Sequence, residues 1–236
     1  MRIKGFVDLS MVDWDGHVVS VVWTPGCNFR CGFCFNKTLV LKPESLTDVP
    51  EEKVLSFLYA NRRFLDGICI TGGEPTLQPD LDVFCGKVKK LGLKVKLDSN
   101  GSNPAVLKSL ISRGLIDYVA LDVKAPLNPE SYGRVTGVSS ESLVERVKES
   151  ISLLMNSGLD YEFRTTVVPG LHSEDDIRMI CEDIRGAKRY VLQVYRPGDT
   201  IDPSFKMLKP PSREFMLKLA ETASKYVKEV RIRGLV

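Results

Sequence analysis

The chain has 236 residues, 43% of them hydrophobic and 27% charged, with 33 basic side chains against 30 acidic. A net charge of +3 is too mild for a dedicated nucleic-acid binder, whose footprint is a concentrated basic stripe, and no apolar run approaches the ~18 residues that span a bilayer. The N-terminus carries Asp8 early and no apolar core, so it does not read as a signal peptide. The expectation is a cytoplasmic, single-domain protein over residues 1–236, with its core in about 17–227. In a reducing compartment its six cysteines read as metal ligands, catalytic thiols or core filler before disulfides.

Short apolar strands alternate with longer segments of helical period. In chain order the pattern predicts strand His17–Trp23, helix Pro50–Arg63, strand Gly67–Thr71 and helix Asp80–Leu91. Strand Lys94–Asp98, helix Pro104–Ser112, strand Tyr118–Asp122 and helix Ser140–Ser157 follow. Strand Tyr161–Val168, helix Ser173–Ile184, strand Arg189–Tyr195 and helix Ser212–Val227 complete six units, with a last short strand at Glu229–Arg233. Three helices stop on the same Gly-Leu step, at Gly92, Gly114 and Gly158. Strict alternation implies right-handed crossovers and a parallel sheet covered by helices. A closed eight-unit barrel typically takes about 250 residues, so the expected fold is α/β, an open six-stranded partial barrel. Chemistry in such sheets sits where strands end, in the loops that follow them.

The loop after the first strand reads Cys27-Asn28-Phe29-Arg30-Cys31-Gly32-Phe33-Cys34. Three thiols this close can wrap one metal centre. Structural zinc wants four closed ligands, and the only histidines, His17 and His172, lie elsewhere in the sequence. An iron–sulfur cluster normally takes four cysteines; held by three, it keeps one iron open for chemistry. A metal-free structural loop is the third reading.

Other strand ends are also polar. Thr71-Gly72-Gly73-Glu74-Pro75 offers glycines that admit close backbone approach and a carboxylate that can pair with a cation, or an ordinary turn. Asp98 and Ser99 end the third strand. Asp122 and Lys124 end the fourth on one face, where buried charges are costly unless paired or bound to a ligand; a solvated surface loop is the bland alternative. Arg164, in an otherwise apolar and β-branched strand, wants an anion, either Glu74 or a bound carboxylate. Cys85 and Cys181 fall on apolar helix faces with Leu81, Phe84 and Val88, and with Ile177, Ile180 and Ile184, and read as core. Cys69 shares the parity of Thr71.

C-x3-C-x2-C with an aromatic before the last cysteine, followed downstream by Gly-Gly-Glu-Pro, resembles the signature of the radical S-adenosylmethionine (radical SAM) enzymes. The resemblance implies a [4Fe–4S] cluster on Cys27, Cys31 and Cys34, with SAM chelated at the fourth iron and split by one electron to a 5′-deoxyadenosyl radical. It further implies SAM contacts from Phe33 at the adenine, from Gly72, Gly73 and Glu74 at the ammonium, and from Asp98, Ser99, Asp122, Lys124, Arg164 and Val168. The acidic residues near Lys124 can hold a monovalent cation in relatives of this kind. Ile70–Leu81, Gly114–Pro126 and Tyr161–Leu171 resemble the activating proteins of anaerobic ribonucleoside-triphosphate reductase. Those activases draw electrons from a reduced flavodoxin or ferredoxin-type donor and place a glycyl radical on a large partner enzyme. An open-sided barrel suits such a substrate. Only 37 residues separate Cys34 from Gly72, without another cysteine cluster, so the ferredoxin-like insert of some activases is absent. The histidine that some activases place near SAM is missing; Gln193 or Tyr195 stands in that stretch. The competing readings are a small-molecule enzyme resembling 7-carboxy-7-deazaguanine synthase, and a non-enzymatic iron–sulfur or zinc protein.

Overall fold

A computed structural model describes residues 1–235. They form two compact units. The first comprises Met1–Asn28, Asn36–Ser99 and Ala105–Val119; the second comprises Phe29–Phe35, Asn100–Pro104 and the chain from Ala120 onward.

The first unit holds β1 (Gly5–Ser10), β2 (Val19–Thr24), α1 (Lys37–Leu41), α2 (Glu51–Asn61), β3 (Gly67–Gly72), α3 (Leu81–Lys90), β4 (Lys94–Ser99) and most of α4 (Pro104–Ser112). Strand β5 (Tyr118–Asp122) begins in this unit and ends in the second. The second unit continues with α5 (Pro129–Thr136), α6 (Glu141–Asn156), β6 (Asp160–Val167), α7 (Glu174–Asp183), β7 (Tyr190–Val194), α8 (Arg213–Ser224) and β8 (Val230–Arg233).

The strands follow one another in the sheet in chain order, from β1 to β8. The α/β class with parallel strands holds: β2–β3, β3–β4, β6–β7 and β7–β8 all pair parallel. The strand count of six does not hold, because the sheet has eight. One added strand, β1, runs antiparallel to β2, with Gly5 opposite Trp23 and Val7 opposite Val21. Val7-Asp8-Leu9-Ser10 alternates apolar and polar residues over four positions only, and Val7, Asp8 and Leu9 are all exposed, so burial does not mark the strand. The other is the short Glu229–Arg233 segment, which pairs with β7 through Val191 and Arg231.

Burial follows the sequence pattern. β2 is almost wholly buried on both faces, Val19, Val21 and Trp23 on one and Ser20, Val22 and Thr24 on the other, as a helix-covered sheet requires. Leu81, Phe84, Cys85 and Val88 form the inner stripe of α3, and Ile177, Ile180 and Cys181 that of α7. Each Gly-Leu stop has its glycine at positive φ, between +62° and +79°. Helix α5 has only eight residues, so its buried Tyr132, Val135 and Thr136, with Gly133 between them, give too short a helical period to read in the sequence. Its caps specify it instead: Asn128 accepts the Ser131 N–H at 2.9 Å, Pro129 opens the first turn, and Gly137 ends it at φ +72°. No helix of the described residues is long and apolar enough to cross a membrane.

Candidate active site

In the first unit the end of β3 is stitched to the loop that leads into Cys27. The Gly73 N–H donates to Thr24 C=O at 2.9 Å and the Glu74 N–H to Gly26 C=O at 2.8 Å. Asn36 Nδ2 donates to Gly72 C=O, and Gln78 Nε2 to Pro25 C=O. Glycine is required at both positions. Gly72 sits at φ +123°, and a Cβ on Gly73 would lie 1.7 Å from the Gly26 oxygen. The close approach these glycines permit is that of the chain's own Thr24–Gly26 loop.

Glu74 is fully buried. Its Oε1 accepts from the Thr76 N–H at 3.1 Å, the Thr76 hydroxyl at 2.6 Å and the Ser99 hydroxyl at 2.9 Å, which fixes the carboxylate. Lys96, 2% exposed, pairs with Asp98 at 2.6 Å and reaches Cys69 Sγ at 3.7 Å. Glu74, Asp98 and Ser99 thus share one strand-end neighbourhood in this unit, and Cys69 points toward the same cation.

In the second unit Asp122 bridges two cations. Lys124 Nζ lies 2.8 Å from Oδ2 and Arg164 Nε 2.8 Å from Oδ1. Arg164 finds its anion in Asp122, a partner the sequence reading did not name. The carboxylate that the resemblance offers to a monovalent cation is engaged by protein cations on both oxygens. Burial pushes the Lys124 pKa down, but attraction to Asp122, with a further pull from Cys31, outweighs it and leaves the ammonium above the ordinary lysine value.

His172, absent from the expected site, fixes these strand ends. Its Nδ1 accepts the Val168 N–H at 3.0 Å and its Nε2 donates to Lys124 C=O at 2.8 Å. Burial lowers its pKa, and the accepting Nδ1 requires the neutral ring. Its spacing of four from Val168 is the signal that was available in the sequence.

The second unit also carries Cys31 and Cys34, with Phe33 between them. Cys31 is buried and Cys34 half-buried, and no disulfide joins any of the six cysteines. A brace from the segment after β7 holds this loop: Ile201 N–H donates to Cys34 C=O at 3.2 Å, and Asp202 N–H to Gly32 C=O at 2.9 Å. Phe33 is buried against Phe205, ring centres 6.2 Å apart. Tyr195 stacks on Phe35 at 6.0 Å and donates to Phe205 C=O at 2.8 Å, so its hydroxyl is committed to the brace. Gln193 lies opposite Thr166 on β6 and Arg233 on β8. From the other side the Arg30 N–H donates to Thr136 C=O at the end of α5.

Among the described residues no three His, Cys, Asp or Glu side chains stand close enough to share one metal ion. The fit of the cysteines to a cluster therefore rests on the chemistry of the donors. Thiolates are the ligands iron–sulfur clusters take, and the Lys124 ammonium acts electrostatically on Cys31, favouring negative charge there. The fully buried Tyr132 hydroxyl makes no hydrogen bond of normal geometry, although the Lys124 backbone lies near enough to pull its pKa down, and it lies within electrostatic range of Cys31 and Asp122. Leaving a buried donor unsatisfied costs about 1–3 kcal/mol, and a cluster held by Cys31 would bring sulfide acceptors within this electrostatic range. The residues present fit the cluster.

Comparison with known proteins agrees. The model of the radical SAM superfamily matches residues 21–184. A Methanocaldococcus jannaschii protein, whose name assigns it provisionally as a glycyl-radical enzyme activating enzyme, is 34% identical over 235 residues, covering 99% of this chain and 96% of that one. The 7-carboxy-7-deazaguanine synthase of Neisseria meningitidis is 38% identical over 124 residues, 52% of each chain. Among solved structures, Streptococcus suis SuiB bound to S-adenosylmethionine superimposes with a TM-score of 0.67 at 18% identity, covering 91% of this chain and 52% of that one. This chain thus spans about half the length of SuiB, and that likeness speaks for the fold alone. With the family model covering most of the sheet and the thiol loop carrying the right donors, the chain belongs to the radical SAM superfamily, and it is an enzyme that works with a [4Fe–4S] cluster and S-adenosylmethionine.

Proposed function

We propose that the protein is an activase that abstracts a hydrogen atom from a backbone glycine of a partner enzyme and leaves a glycyl radical there, the partner being an anaerobic ribonucleotide reductase. One observation carries the reading: the relative assigned as an activating enzyme matches from end to end, 99% of this chain and 96% of its own, whereas the deazaguanine synthase matches over half. In this reading residues 1–236 act as one functional domain. Cys27, Cys31 and Cys34 hold the cluster, and electrons come from a reduced flavodoxin or ferredoxin-type donor. Phe33, Gly72, Gly73, Glu74, Asp98, Ser99, Asp122, Lys124, Arg164 and Val168 form the SAM site. When bound, the cluster supplies the electron that splits SAM. The chain's own residues fix the Glu74 carboxylate, balance charge through Asp122, and hold the cysteine loop against its brace.

The test is electron paramagnetic resonance of the reduced, cluster-loaded protein mixed with SAM and an anaerobic ribonucleotide reductase. A glycyl doublet is the expected result. Rapid turnover of a small heterocycle without a doublet would transfer the protein to the deazaguanine-synthase type of reading. Alanine at Cys27, Cys31 or Cys34 should abolish cluster binding, while alanine at Cys69, Cys85 or Cys181 should not.

A further inference from the structure

The second unit has a small cavity, about 170 Å³, apart from the residues described above. Val194 at the end of β7, Arg196, Pro210, Pro211, Arg213 and Leu235 line it. Pockets for small-molecule ligands usually run to roughly 300–1,000 Å³, so this one suits a single side chain better than a nucleotide or cofactor. Two guanidinium groups border it, and among the described residues neither forms an ion pair. Most other arginines do, as in Arg164–Asp122, Arg178–Glu182 and Arg233–Glu162. Arg196 donates only a long 3.4 Å bond to Gly234 C=O. Arg213 is the first residue of the twelve-residue α8, whose unsatisfied amides and dipole favour an anion at the same end. Ser212 takes up the Phe215 N–H. Two adjacent prolines give the cavity a stiff apolar wall against which methylene groups can pack.

The geometry points to a carboxylate-docking site, made by Arg196 and Arg213, for an acidic side chain of the partner protein. Chain continuity favours a protein occupant. Arg196 directly follows Tyr195, whose ring stacks on Phe35, and Phe35 is 50% exposed one residue after Cys34. A polypeptide that seats a carboxylate between the two guanidiniums can cover this exposed ring with a neighbouring residue. Guanidinium pairs carboxylates through two parallel hydrogen bonds, giving orientation as well as attraction. The site rests on the reading of a protein substrate and gives that substrate a docking point.

The experiment compares binding of an anaerobic ribonucleotide reductase to the intact, cluster-loaded protein and to its R196Q/R213Q variant, at low and at moderate salt without oxygen. R63Q/R113Q, which removes two exposed arginines of the other unit, controls for the loss of two charges. The R196Q/R213Q variant should bind roughly tenfold more weakly at low salt, as two partly exposed charge-assisted contacts contribute together. Its affinity should also depend less on salt, while R63Q/R113Q binds as the unmodified protein does. If R196Q/R213Q fails to fold, the two single variants carry the same comparison. Equal affinity and equal salt dependence in folded variants, with the unmodified protein binding and yielding a doublet, overturns the docking site alone. No binding and no doublet from the unmodified protein overturns the functional reading and the site with it.

Discussion

Asp122 is the residue on which the second unit's charges turn. Its two oxygens pair with Lys124 and Arg164, whose side chains are 16% and 10% exposed. Breaking a buried pair by removing one partner costs about 3–5 kcal/mol; with the carboxylate 23% exposed, about 2–3 kcal/mol is expected for Asp122→Asn. At this chain length that lowers the thermal midpoint by roughly 5–10 °C, measurable by calorimetry on cluster-free protein. A midpoint within a degree or two of the original would mean that water screens the cations. Gly73→Ala is the sharper test of the stitched loop. The added methyl meets a backbone oxygen that cannot swing away, so poorly folded protein or a loss above about 3 kcal/mol is expected on unfolding in denaturant. Normal stability would show that the loop can retreat. The glycines, Glu74 and the cysteines were legible in the sequence because their types are rare in that order. The Asp122–Arg164 partnership was not, because residues 42 apart meet only once strands pair.

At the scale of elements, strands with continuous apolar runs were read within one or two residues of their limits; β5 is Tyr118–Asp122 in both. The elements that escaped are the edge strand β1, the five-residue α1, and α5, which its caps specify. The brace after β7 escaped too, since a loop that packs through Phe205 and backbone bonds has no period to detect. His172 joins the ends of β5 and β6 through Lys124 C=O and Val168 N–H, and this gives a pH dependence. Burial lowers its folded pKa below the ordinary value, opposed by the hydrogen bond to the Lys124 backbone and by Asp176, and reinforced by Arg134. The unfolded chain therefore binds the proton first. Stability is fully present above the unfolded histidine pKa, about 6.5, and declines as pH falls toward the lower folded value. Thermal melts from pH 7.5 to 5 should show His172→Gln losing less stability over this interval than the unmodified protein. Parallel curves would assign the acid sensitivity to other groups.

For the whole molecule, ligand and stability are linked. A ligand that binds only the folded state at one hundred times its dissociation constant adds about 2.7 kcal/mol, or roughly 5–10 °C here. Saturating SAM should therefore raise the midpoint of cluster-loaded protein by several degrees, and that of cluster-free protein far less. Equal shifts in both would place SAM binding outside the cysteine loop. The sheet order has a different consequence, for the protein's synthesis. Because the strands lie in the order in which they are made, each parallel strand emerging from the ribosome meets the edge left by the one before it. No early strand waits for a late one to be inserted beside it. The unpaired edge moves along the growing sheet with translation, and at any moment a single strand's width of it is newly open to the wrong neighbour.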